Sequence, residues 1–197
     1  MTNPVYIVDI IGDVVNNVRD EILQTIITNE NAALAPDEQS FINTINYQYG
    51  HKLELLETLK QMDQDASGQN KFLKYPLVYL VQDFVEDRGK QPGIYAETSL
   101  NILIMHQTEP THKITDRYNK VFKPVLYPIY YSLINQINQS RFVNQGNEDL
   151  IPHTKIDRAF YGKKGLGGNE KNALNDFVDA IEIVNLDLKI NYQPCLV

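Results

Sequence analysis

The segment "TDRYNKVFKPVLYPIYYSLINQI", Thr115 to Ile137, constrains the fold more than any other stretch. Tyr118, Phe122, Leu126, Ile129, Leu133 and Ile137 recur at the spacing of a helix with one apolar face. Pro124 and Pro128 interrupt that face. Each lacks an N–H and sets its ring against the carbonyl four residues earlier, at about 3 kcal/mol in a regular helix. The stripe survives if the chain makes two helices or one kinked helix, with a first piece from about Asp116 to Phe122 and a second opening at Pro124. A bend of this kind fits a helix to a twisted sheet, so a sheet is expected beneath it.

A second helix is predicted near the N-terminus. Val8, Ile11, Val15, Val18, Ile22 and Ile26 share one face of a helix from about Pro4 to Thr28, with Asn3 as N-cap and Pro4 at the first helical position. Strands are predicted over Ser40 to Gly50, Phe72 to Glu86, Ile94 to Gln107 and Phe177 to Ile190. The second is apolar throughout, so both its faces should be covered, with Pro76 at a sheet margin. The third sets Leu100, Ile102 and Ile104 against Asn101, Leu103 and Met105. The last sets Ile181, Ile183, Asn185, Asp187 and Lys189 against Glu182, Val184, Leu186, Leu188 and Ile190. "HKLELLETLKQM", from His51, fits either a short helix or a returning strand.

Strands outnumber helices and are separated by hairpin-length turns. The expected fold class is α+β: a mostly antiparallel sheet packed by the long N-terminal helix and the proline-kinked central helix. One domain should span residues 1–197. The polar stretches 63–71 and 139–173 are expected to be long exposed loops that protrude or order against a partner.

The net charge of -7 argues against wrapping nucleic acid, which needs clustered basic residues, because the longest basic run is Lys163-Lys164. The single cysteine, Cys195, allows no disulfide within the chain and no cysteine zinc site. The first residues lack a basic region before their apolar run, and no apolar stretch approaches the roughly 20 residues that span a bilayer. A soluble intracellular product without a membrane partner is expected.

No residue set points to chemistry. The glycine-rich "YGKKGLGGNEKN", Tyr161 to Asn172, has no Lys-Ser/Thr after its glycines. A nucleotide site around Lys164, Gly165 and Gly167 is therefore weighed only against a flexible loop. His106 and His112 flank a strand end, and His153 lies four residues before Asp157, short of the three or four converging ligands a metal needs. Cys195 sits in a terminal tail with no evident base. No catalytic, cofactor or metal residue is assigned, no cofactor is expected, and the chain is expected not to be an enzyme. The twelve tyrosines are more informative. Tyr79 and Tyr118 are assigned to the core. Tyr127, Tyr130 and Tyr131 span too much of a helical turn to face one core, so one or more is expected at a subunit interface.

Four phrases, "YQYGHKLEL", "KFLKYPLVYLVQDF", "RYNKVFKPVLYPIYYSLINQI" and "DFVDAIEIVNLDLKI", occur in an order that resembles the neck and tail-completion proteins of tailed bacteriophages, especially phages of Bacteroidota hosts. In that family, tail terminators close a tube as a ring of identical subunits. The resemblance implies a sheet with flanking helices and assembly with itself into a hexamer or related ring. It also implies contact with neighbouring neck and tail proteins, and DNA passing through without being gripped. The expected location is the virion neck or tail, with assembly in the host bacterial cytoplasm. The loops at Asp63 to Lys71 and Gln139 to Ala173 exceed a minimal terminator, which leaves open another ring of the head–tail connector. The competing reading is a cytosolic protein–protein adaptor without enzymatic activity, using the central helix as its partner surface.

Overall fold

The computed structural model describes residues 6–28, 45–64, 74–89, 95–144, 151–163 and 176–192. The elements in chain order are α1 (Ile7–Thr28), β1 (Asn46–Gly50), α2 (Lys52–Gln64), β2 (Leu77–Val81), β3 (Glu86–Asp87) and β4 (Tyr95–Gln107), then a helical run, β5 (Thr154–Arg158) and β6 (Val178–Asn191). The helical run comprises α3 (Ile114–Arg117), a π-helical segment (Tyr118–Leu126) and α4 (Tyr127–Gln139). The sheet order is β1-β2-β4-β6-β5, with β3 pairing with β4 off that path. Among the described residues only β1 and β2 are parallel. The fold is α+β, as expected from sequence.

The parallel pair follows from α2. "HKLELLETLKQM" is a helix, so the chain crosses over and enters β2 in the direction of β1. The Glu54 carboxylate accepts the His51 N–H at 2.8 Å, an N-terminal cap for α2. Gly50 is required just before it. Its φ is 150°, and a Cβ there would come within 2.5 Å of Glu54 Oε2 and 2.8 Å of Tyr79 Oη.

Two cores lie on opposite sheet faces. On the first, α1 and the helical run bury Ile11, Val18, Leu126 and Leu133 against Leu80, Ile102, Ile104 and Ile183. On the second, α2 buries Leu55 and Leu59 against Leu77, Tyr79, Leu103 and Met105. Every residue of β2 is buried, as its unbroken apolar run predicts. The apolar face of α1 is wider than the predicted stripe: Ile7, Ile10 and Val14 join Ile11, Val15, Val18 and Ile22, while Val8 packs at its margin. The side chain of Ile26, residues 1–5 and 29–44, and, of the predicted loops, residues 65–71, 145–150 and 164–173 lie outside the described residues.

The strand expected over Phe72 to Glu86 is shorter, with β2 ending at Val81 and Glu86–Asp87 forming the separate β3. Three further expectations need correction. The predicted loop at 139–173 contains β5, which pairs antiparallel with β6 through Thr154↔Val184 to Arg158↔Ala180. The alternation of β6 does not run through. Leu100 pairs with Leu186 but Ile102 with Ile183, so Val184 and Asn185 together oppose Asn101. This bulge adds one residue and puts Ile181, Ile183, Leu186, Leu188 and Ile190 all on the first face. Asn185 takes φ 53°, and its N–H donates to Asn101 Oδ1 at 3.2 Å.

The third correction concerns the prolines. The second helix does not open at Pro124. The run from α3 to α4 is continuous, with Pro124 inside the π segment and Pro128 at the second position of α4. The Tyr127 N–H reaches back five residues to Phe122 O, the wide-turn pattern that lets a ring sit inside a helix. Wide turns also shift the phase of the apolar stripe. Val121, Phe122, Val125 and Leu126 face the core, whereas Tyr118, assigned to the core from sequence, is 49% exposed.

Candidate functional site

The three tyrosines assigned to an interface sit where α4 crosses the end of the sheet beyond β6. Among the described residues β5 pairs with β6 alone, leaving its outer edge open. Lys155 and Asp157 pair with Ile183 and Ile181 and so share the first face with α4. Tyr127 Oη donates to Asp157 Oδ2 at 2.8 Å, and Lys155 Nζ donates to Asp157 Oδ1 at 2.5 Å. The same ammonium lies 4.5 Å from the Tyr127 ring centroid and 5.4 Å from that of Tyr130. Burial first, then the hydrogen-bonded Asp157 carboxylate, pushes the Tyr127 phenol up to about 12.

Tyr130 is buried, and burial raises its pKa as well. Its Oη lies 2.7 Å from His153 Nε2, and His153 Nδ1 lies 2.7 Å from Ile151 O. A carbonyl only accepts, so Nδ1 carries the proton in that bond, and Nε2 of the neutral ring accepts from Tyr130. Two of the three tyrosines thus tie α4 to their own chain, Tyr127 to the edge strand and Tyr130 to the residue just before it. Tyr131 differs: it packs edge-on against Tyr130 at 5.1 Å and is 66% exposed. Tyr118 and Ile114, 79% exposed, extend an apolar outer band along the same helical run, interleaved with exposed Lys113, Lys120 and Lys123.

At the start of that run lies an ion pair that sequence reasoning missed. Arg117 and Asp179 are both buried, and the Arg117 guanidinium donates to Asp179 Oδ1. It also donates to His112 O at 3.0 Å and Glu109 O at 3.2 Å, while Phe160 N–H donates to Asp179 Oδ1 at 3.0 Å. The Phe160 ring lies 3.4 Å from the guanidinium carbon, with Phe160 at φ 54°. The pair pins the start of α3 and the β5–β6 connection to the sheet. An aspartate in the apolar phrase "FVDAIEIV" was the available signal, because a buried carboxylate needs a partner. Arg117 itself carried none.

The remaining candidates do not converge. His106 is buried in β4, where loss of solvation lowers its pKa to about 4. His112 Nε2 meets Glu109 at 3.3 Å. His153 and Asp157 engage different tyrosines, and no group of three or more His, Cys, Asp or Glu that could hold a metal occurs among the described residues. Gly165, Gly167 and Cys195 lie outside the described residues. A polar groove of about 400 Å³ between α1 and α4 is lined by Asn17, Asp20, Glu21, Asn135, Gln136 and Gln139. Within it, Glu21 Oε2 accepts from Ser132 Oγ at 2.5 Å and Gln136 Nε2 at 3.0 Å, which joins the two helices. Among the described residues no helix is long and apolar enough to cross a membrane. Comparisons with protein-family models, curated proteins and solved structures find no match.

Proposed function

We propose that the chain is a structural virion protein, one subunit of a ring at the head–tail connector or the end of the tail tube of a tailed bacteriophage. The observation that carries this reading is the aromatic and aliphatic band of Ile114, Tyr118 and Tyr131 beside the open strand β5. Large amphipathic side chains at an exposed position suit protein contact, and an unpaired strand edge is a template for another chain. The resemblance of the four sequence phrases to neck and tail-completion proteins supports the same reading.

The purified chain is expected to sediment as a defined closed oligomer, or to do so once mixed with tail tubes, and to be recovered in virions. A chain that stays monomeric at all concentrations and binds neither tubes nor virions overturns the proposal. A stable one-to-one complex with a cytosolic host protein would favour the adaptor reading in its place.

A further inference from the structure

The sheet ends in two edges of opposite polarity and unlike charge. Among the described residues, β1 pairs only with β2 and β5 only with β6, so each presents an unpaired row of backbone groups. Following the ladders across the sheet, β1 runs with β2, against β4, with β6 and against β5. When one sheet is continued into a second copy facing the same way, β5 of the first meets β1 of the second antiparallel. That is the pairing with the better-aligned hydrogen bonds. Both strands are five residues long, and their central residues, Ile156 and Gln48, lie on the second face: Ile156 pairs with Glu182, and Gln48 with Tyr79.

The surroundings match as well. The β5 edge is overhung by the helical run with exposed Lys113, Lys120 and Lys123 and exposed Tyr118. The β1 edge is flanked by α1, exposing Asp9 and Asp13, and by α2, exposing Glu54 and Glu57, with Tyr49 exposed on the strand itself. Tyr47 Oη donates to Val8 O at 2.9 Å, which fixes the acidic start of α1 over that edge. A basic aromatic end faces an acidic aromatic end.

We propose that the partner of each edge is a second copy of this chain, joined head to tail by β5 adding to β1 so that one sheet continues from subunit to subunit. This rests on the ring reading above and supplies its contact. Two different patches meeting in this way form a heterologous interface, the kind that closes into a ring when the rotation per subunit allows. The strand edges supply the backbone bonds, and the charges select head-to-tail over head-to-head contact.

Cysteine pairs test it in a Cys195→Ser background. Gln48→Cys combined with Thr154→Cys, Ile156→Cys or Arg158→Cys covers three registers on one face. Mild oxidation is expected to link at least one double variant into a ladder of covalent multimers, while each single variant stays unlinked. A dimer from Ile156→Cys alone would mean two-fold β5–β5 contact and overturns the proposal. Sedimentation as a ring without any mixed link overturns the edge pairing but leaves the ring reading standing, whereas a monomer removes both. As a second measurement, Lys120→Glu with Lys123→Glu should raise the concentration for half assembly about tenfold or more. Mixing with Asp9→Lys/Asp13→Lys subunits should reverse this, and an unchanged value in both cases overturns the charge matching.

Discussion

Arg117 and Asp179 form an ion pair closed off from solvent, with side chains 2% and 0% exposed, at the corner where α3 begins and β6 enters the sheet. Asp179 Oδ1 receives both the guanidinium and the Phe160 N–H, while Oδ2 is buried and meets no donor among the described residues. Removing one partner strands the other charge in a medium that solvates it poorly. Arg117→Met or Asp179→Leu alone is expected to cost about 3 to 5 kcal/mol, and the double variant clearly less than the sum. Urea unfolding of the four proteins measures this, and additive losses would contradict it.

The bulge in β6 gives a backbone prediction. Asn185 holds φ 53°, which asparagine and glycine tolerate and a β-branched residue does not. Asn185→Gly should change stability by less than about 1 kcal/mol, whereas Asn185→Val should cost about 1 to 3 kcal/mol. Asn101→Ala, which removes the acceptor for the Asn185 N–H, should fall between them. Thermal melts of the three variants decide the order.

Acid stability should depend on His106. Its folded pKa, about 4, lies below the ordinary histidine value because burial disfavours the charged ring. Between that value and about 6.5 the unfolded chain binds the proton and the folded chain does not, so stability falls as pH falls through this window. The group that faces it across the ladder is Asp179, already held by Arg117. The loss attributable to His106 is on the order of 3 kcal/mol when complete, and His106→Gln should flatten the curve of unfolding free energy against pH. An equally steep curve in that variant would place the acid sensitivity elsewhere.

The tyrosines of α4 should separate stability from assembly. Tyr127→Phe removes the bond to Asp157 and should cost about 1 kcal/mol. Tyr131→Ala truncates an exposed ring and should leave unfolding within about 0.5 kcal/mol of the parent. If the outer band is a contact surface, the second variant and not the first weakens self-association. Unfolding curves and sedimentation on the same samples show whether the two effects part in this way.

The two long helices were legible in the sequence because their apolar period is local, whereas α2 fitted a helix or a strand equally well. Val15 and Val18 on α1, and Leu126 and Leu133 on the central run, lie in the core as the spacing predicts. The neighbours of β5 were not legible, since "TKIDR" is polar and short, and an edge strand with one partly exposed face leaves little alternation to read. In β6 the alternation was present but changes frame at Asn185, and only the register against β4 reveals the added residue. The tyrosine cluster was found as a concentration of residues, while its division into inward Tyr130 and outward Tyr131 depends on α4's position over β5 and His153. The π segment escaped detection because proline signals a break, whereas here the helix widens around Pro124 and continues.

The long ladder between β4 and β6 also has a kinetic consequence. Both strands lie inside the sheet, yet the whole helical run and β5 come between them in the chain, and Gln107 must find Val178 across that interval. Closing so large a loop costs entropy before the first ladder bond returns any. Contacts of such high sequence separation slow folding far more than they alter final stability. Until β6 arrives, β4 has an open side, and β5 has no sheet to join. The order of events is therefore set by topology: β1, α2, β2 and β4 can associate early as the chain emerges, and the β5 edge exists only after the last described strand has docked.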